Sequence, residues 1–258
     1  MHDPGSRPAT LVSSAPRADC SNCPFRDSLL AAGRCAPGDV CLQVESGRQI
    51  DRFLRRNPEF AESCLTDPFW ERRAIAVRHA PSAAVVGLVK DRDEVVRRAV
   101  ALRLPPEDLT ALARDPDREV RITVAARLPA ERLDSLIGDP DYMVRQRVAA
   151  RLPHGRLTRL VNDPEREVRK EVARRLPAFA LGRMAADPDP EVRAIAAARM
   201  LPDDAARLLD DPEWRVRLEA VASAPVVAVA ALVDDPDRDV RERARARVSE
   251  YLQAKENP

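Results

Sequence analysis

The chain has 258 residues, 45% hydrophobic and 33% charged, enough apolar material to bury a core although it holds only two Trp, two Tyr and five Phe. Its 43 basic residues stand against 42 acidic ones, which excludes a global field drawing it to nucleic acid or to an anionic membrane. No run approaches the roughly 18 apolar residues of a membrane span, and the amino terminus lacks a signal-peptide core, so we expect a cytoplasmic protein with no membrane partner.

Residues 1–19, rich in Pro, Ser and Ala and without apolar periodicity, read as a disordered tail. The next segment, residues 20–57, opens with Cys20, Cys23, Cys35 and Cys41 in the pattern C-x2-C-x11-C-x5-C. All five cysteines lie within the first 64 residues, and in a reducing compartment such crowding points to metal ligation before disulfides. Four thiolates suit a tetrahedral zinc or a four-iron cluster, and spacing alone leaves both open. The stretch is broken by Gly33, Pro37 and Gly38 and is too short for a core of its own, so it needs a staple. From Gln43 the pattern predicts an adaptor helix with Ile50, Phe53 and Leu54 on one face, stopped by Asn57-Pro58. The fifth thiol, Cys64, falls in the slot that Leu88 and Leu112 occupy later and reads as a small buried hydrophobe.

Residues 58–258 form a tandem array. Asp67, Asp91, Asp115, Asp139, Asp163, Asp187, Asp211 and Asp235 stand 24 apart, followed by Pro in every copy except the second, where Arg92 stands. A fixed period of this size marks a solenoid, in which each unit buries its apolar face only against its neighbours. The cleanest copy runs from Asp115 to Gly138. Its first arm reads as an α-helix with Asp115 at the N-cap, Val120, Val124 and Leu128 on the buried stripe, and an end enforced by Pro129. The second arm, with Leu133 and Leu136 three apart, suits 3₁₀ or α geometry equally, and no stretch alternates as a strand would. Arg245, where every other copy has Ala or Val, suits an outer face that no neighbour covers.

An Arg recurs six residues after each Asp, from Arg73 to Arg241. Arg121 lies near the buried stripe, so this row reads as structural and wedged between repeats. An acid four residues earlier, such as Asp93 before Arg97, supplies the expected helical ion pair. A second row, Arg103, Arg127, Arg151, Arg175 and Arg199, lies at the stripe's edge. Exposed, it would be a basic line able to track phosphates; otherwise it is solvated structural charge.

The cysteine pattern joined to 24-residue repeats of the form D-P-x-x-x-V-R with a Leu-Pro turn resembles the leucine-rich repeat variant proteins, over residues 20 to about 250. The resemblance implies an all-α, right-handed superhelical solenoid of alternating α and 3₁₀ helices. It also implies a four-iron, four-sulfur cluster at the amino end, with zinc as the alternative. Departures are small: Arg72 for Val in the first copy, Arg92 for Pro, and a one-residue slip at Leu201-Pro202.

No catalytic constellation emerges, since His2, His79 and His154 have no triad or ligand spacing and no glycine-rich phosphate loop is present. The leading expectation is a non-enzymatic iron–sulfur protein whose solenoid binds a protein partner, the cluster serving structure, redox sensing or electron transfer. A nucleic-acid-binding solenoid with a metal-stapled head is the alternative. The candidate partner-binding residues are Trp70, Arg118, Tyr142, Arg166 and Trp214. They occupy one slot, the third after each Asp, that tolerates many residue types and lies about 100° from the core stripe.

Overall fold

The structure, a computed structural model, describes residues 15–256. His2 and the expected tail as far as Ser14 lie outside the described residues. The chain forms two compact units, Met1–Val124 and Ala125–Pro258. Its helices of eight residues or more are α1 (Gly47–Arg56), α2 (Trp70–His79), α3 (Glu94–Arg103), α4 (Arg118–Arg127), α5 (Tyr142–Ala149), α6 (Arg166–Arg175), α7 (Pro190–Ala197), α8 (Trp214–Ser223) and α9 (Arg238–Glu256). Second arms separate the repeat helices. Some are wholly 3₁₀, as at Pro106–Leu112, Ala130–Leu136 and Ala178–Met184. Others turn from α into 3₁₀, as Ser82–Val85 does into Val86–Lys90. The two geometries that leucines three apart permit are thus both used. Among the described residues there is no strand, only an isolated bridge between Ala36 and Val40.

The buried stripe is the expected one. Val96, Val100 and Ala101 in α3, like Val168, Val172 and Ala173 in α6, are fully enclosed, and Leu104 and Leu176 close the stripe just before the proline turn. Each such Val or Leu contributes roughly 1.5–3 kcal/mol of burial. The slip near Leu201 is absorbed locally: Met200 takes the buried leucine slot and Leu201 turns outward.

Two expectations about the Asp and Arg rows are corrected. The helices start two residues later than expected, and the cap is the later acid: Asp93, Asp141 and Asp189 accept from the N–H two residues on, at 3.0, 2.8 and 2.8 Å. The punctuating Asp is a turn-former with a second task. Asp115 Oδ1 accepts from Asp117 N–H at 2.9 Å, while both its oxygens take the fork of Arg97, from Nε at 2.7 Å and Nη2 at 2.9 Å. Arg97 therefore pairs with the next repeat and not with Asp93, because Asp93 is occupied at the helix start. Its remaining nitrogen donates to Asp91 O at 2.8 Å.

The rung repeats as Arg73–Asp91 in the first unit and as Arg145–Asp163, Arg169–Asp187, Arg193–Asp211 and Arg217–Asp235 in the second. A bidentate fork fixes the angle between neighbours as well as their distance. Burial pushes Asp91 and Asp211 up, but the guanidinium and the turn N–H outweigh it and hold both below the usual carboxylate range. In Asp235 the Arg217 fork is the leading cause of the same lowering.

The first copy shows what happens without a preceding arginine. Eighteen residues before Asp67 stands Gln49, which instead donates to Pro16 O at 2.8 Å. Asp67 takes Arg72 Nη1 at 2.6 Å, which accounts for Arg at a slot that is Val in the other copies.

Candidate metal centre and surface rows

Residues 20–41 contain little regular structure beyond one π turn at Arg26–Leu30, and two left-handed glycines, Gly33 (φ 67°) and Gly38 (φ 84°), reverse the chain between the cysteines. Cys23 N–H bonds Cys20 O at 3.4 Å, and the Cys35 and Cys41 amides bond Leu29 O at 3.3 Å and Gln49 O at 3.4 Å. These bonds fix the backbone at Cys23, Cys35 and Cys41. Burial pushes the Cys35 thiol up, and the charges of Cys23, Cys41 and Cys20 push it further. Cys64 is different: it is buried in the first 3₁₀ turns, and its thiol is raised by burial against the lowering effects of Ser63 and Arg72.

The cysteine segment is fastened to α1 and the first repeat. Phe25, Phe53 and Phe60 form a ring cluster with centroids 5.1–5.9 Å apart. Ile50, Phe53 and Leu54 are fully buried on α1, and Asn57 donates to Arg34 O at 3.1 Å and Phe53 O at 3.0 Å. Ion pairs join Arg34 to Glu59 and Arg52 to Asp39. His79, at the end of α2, meets Asp51 of α1 at 3.1 Å, so it fastens the helix pair.

Four thiols of one short segment are a donor set suited to an iron–sulfur cluster. Among the described residues no three Cys, His, Asp or Glu side chains converge as ligands of a single ion do.

The second arginine row is engaged. Arg151 Nη1 donates to Ala125 O at 2.7 Å, Arg199 to Ala173 O at 2.7 Å, and Arg175 to Ala149 O and to Leu152 O at 2.9 Å. These guanidiniums satisfy helix-end carbonyls of the preceding repeat in the second unit. In the first unit Arg103 reaches Ala80 O only at 3.5 Å. In the second unit the row is therefore structural and not an open phosphate track, whereas Arg103 stays exposed.

The third-slot residues lie at the surface. Trp70 is 38% exposed beside Phe69, and Arg118 is exposed with Glu119 at 3.3 Å. In the second unit Tyr142 is 39% exposed, Arg166 is exposed and reaches Asp189 at 3.4 Å, and Trp214 is half-buried under the Arg215 guanidinium, 5.1 Å from the ring centre. Sequence reasoning missed the rung from Arg to the following Asp and the carbonyl role of the second row. It also missed a groove that α2 and α3 form on their outer surface around Val95 and Leu102.

The class these features define is a helical solenoid of 24-residue repeats headed by a cysteine-rich metal-binding segment. The chain belongs to the leucine-rich repeat variant family. The family model for the LRV protein FeS4 cluster matches residues 16–63, and the leucine rich repeat variant model matches residues 95–117, 118–141 and 166–189. A solved structure described as "a leucine-rich repeat variant with a novel repetitive protein structural motif" is 57% identical. It matches over 90% of this chain and 99% of its own length, with a TM-score of 0.85. An uncharacterized 27.7 kDa protein in the nifB 3' region of Rhodobacter capsulatus is 39% identical over 87 residues. That match spans 34% of this chain and 35% of the relative's length. The protein is thus an iron–sulfur repeat protein by family, and no helix among its described residues is long and apolar enough to cross a membrane.

Proposed function

We propose that the protein is a non-enzymatic, cytoplasmic iron–sulfur solenoid that grips a protein partner. Cys20, Cys23, Cys35 and Cys41 hold a four-iron, four-sulfur cluster. In this reading residues 20–57 are the cluster domain and residues 58–258 the array. The observation that carries it is the match of residues 16–63 to the family model for the LRV protein FeS4 cluster, a stretch that contains Cys20, Cys23, Cys35 and Cys41 and ends before Cys64. A bound cluster supplies a one-electron couple and four covalent ties. The chain's own residues seat it, through the Leu29 and Gln49 carbonyls, and join its segment to the first repeat through Phe25, Phe53 and Phe60.

The array offers its partner the third-slot row. Trp, Tyr and Arg are the side chains that anchor interfaces when desolvated, and here Trp70, Arg118, Tyr142, Arg166 and Trp214 leave the core to the valines and leucines. A protein partner is favoured over nucleic acid because the arginines of the second row are bonded to carbonyls. The test is an anaerobic pull-down with cluster-loaded protein and its Trp70→Ala/Trp214→Ala variant across a salt series. Capture that survives raised salt and is lost in the variant supports the reading. Binding that collapses steeply with salt and needs nucleic acid contradicts it.

A further inference from the structure

Helices α2 and α3 pack side by side in the first unit, and their outer surfaces leave a groove of about 510 Å³. Its floor includes Val95, Ala99 and Leu102, and its walls include Arg78, Arg98 and Arg103, with no acid among the lining residues. Leu102 is 59% exposed and Val95 41% exposed. Among the described residues Arg98 has no hydrogen bond or ion pair, and Arg78 comes no nearer than 4.0 Å to Asp51.

The array itself shows that this composition is not what the fold asks for. The slot of Val95 holds an acid in five other copies: Glu71, Glu119, Glu167, Glu191 and Asp239. The slot of Leu102 holds Ala at positions 126, 150, 198, 222 and 246. Four repeats on, the corresponding groove between α6 and α7 is neutralised from within, where Lys170 reaches Glu191 at 2.6 Å and Glu167 at 3.3 Å. The second repeat has lost the acid, gained an exposed leucine and kept its arginines. Large apolar side chains in water and the unpaired Arg98 guanidinium beside them stabilise nothing in the free protein. Together they complement a ligand that brings both carboxylates and apolar side chains.

We propose that the α2–α3 groove docks an acidic amphipathic segment of a partner protein, its apolar side chains on Val95, Ala99 and Leu102 and its carboxylates on Arg78, Arg98 and Arg103. This rests on the reading of the array as a protein-binding surface and adds where and what it binds. Trp70 stands one helical turn before Ala74, a further lining residue on α2.

The test uses the full chain with its cluster intact and a fluorescently labelled synthetic helical peptide carrying Leu at every third or fourth position and Glu between. The probing variant is Val95→Glu/Leu102→Ala, which restores residues that these slots hold in other copies and so preserves folding, checked by circular dichroism. Expected are measurable anisotropy binding by the wild type and a loss of about tenfold or more in the variant, as for removal of interface anchors. A matching loss for Arg98→Glu and no binding of the same peptide with Lys for Glu are also expected. Equal binding by wild type and variant, or equal binding of the Lys peptide, would overturn the proposal. So would a variant-sensitive self-association that assigns the groove to a second copy, or a variant-sensitive affinity for a DNA duplex instead of the peptide. If the peptide fails while capture in the pull-down still depends on the tryptophans, the groove alone is wrong. If both fail, the partner-binding reading falls with it.

Discussion

The cysteine segment and the repeats solve the same problem of stability in opposite ways. A repeat such as that of α6 needs nothing foreign: Val168, Val172 and Leu176 are buried, and Arg169 grips Asp187 at 2.8 and 3.0 Å. Residues 20–41 bury few apolar side chains, chiefly Leu29 and Val40, and turn twice through left-handed glycines. Periodicity lets the repeats satisfy their charges by repetition, whereas the aperiodic head gathers four cysteines in the stretch that the iron–sulfur family model matches.

The largest effect that sharpens this contrast is expected at the head. Replacing Cys20, Cys23, Cys35 or Cys41 by Ser should abolish the brown chromophore while leaving the helical signal of the repeats largely in place; Cys64→Ser should keep the chromophore. Ultraviolet–visible absorption and circular dichroism on the same anaerobic samples distinguish the two cases.

Within the array, Arg169→Ala leaves the Asp187 carboxylate buried without its partner. A loss of about 3–5 kcal/mol is expected in urea unfolding. Removal of the first copy's substitute, Arg72→Val, installs the residue native to the other copies and should still cost about 1–3 kcal/mol, because Asp67 has no arginine from a preceding repeat.

How much of this was legible from the chain depends on the period itself. The stripe of Val120, Val124 and Leu128, the surface position of Trp70 and Tyr142, and the four-cysteine head were all readable, because each depends on spacing within one unit or on composition. The pairing of Arg97 was not. In a tandem array with period 24, an Asp six residues before an Arg and one 18 residues after it occupy the same column, so sequence does not separate a contact within a repeat from one across to the next. The same degeneracy hid the second row, where Arg151 reaches a carbonyl 26 residues back. The α-helix start was misplaced because two acids, Asp115 and Asp117, both suit an N-cap, and only the turn geometry assigns the first to the arginine fork. Departures from the repeat, Arg72 and Val95, carried information that became readable only beside their neighbours.

A smaller effect is expected from acid. The folded-state pKa values of Asp91, Asp211 and Asp235 are lowered, so their contribution is complete above the unfolded carboxylate value of about 3.9 and is lost as pH falls through the folded values. The urea midpoint should therefore be flat in this respect from neutral pH to about pH 5 and decline below it, and the decline should be shallower in a variant with one rung removed. The smallest effect on stability belongs to Trp70→Ala/Trp214→Ala, whose melting temperature should stay within a few degrees of the parent while partner capture is lost. A large drop would place the rings in the packing of the repeats.

The central claim, that the four-thiol head holds a four-iron, four-sulfur cluster, is tested most directly by measuring iron, acid-labile sulfide and zinc together with the Mössbauer spectrum of anaerobically purified protein. The account predicts about four irons and four sulfides per chain, a four-iron cluster spectrum and negligible zinc. One zinc per chain with no sulfide, persisting after anaerobic reconstitution with iron and sulfide, would contradict it.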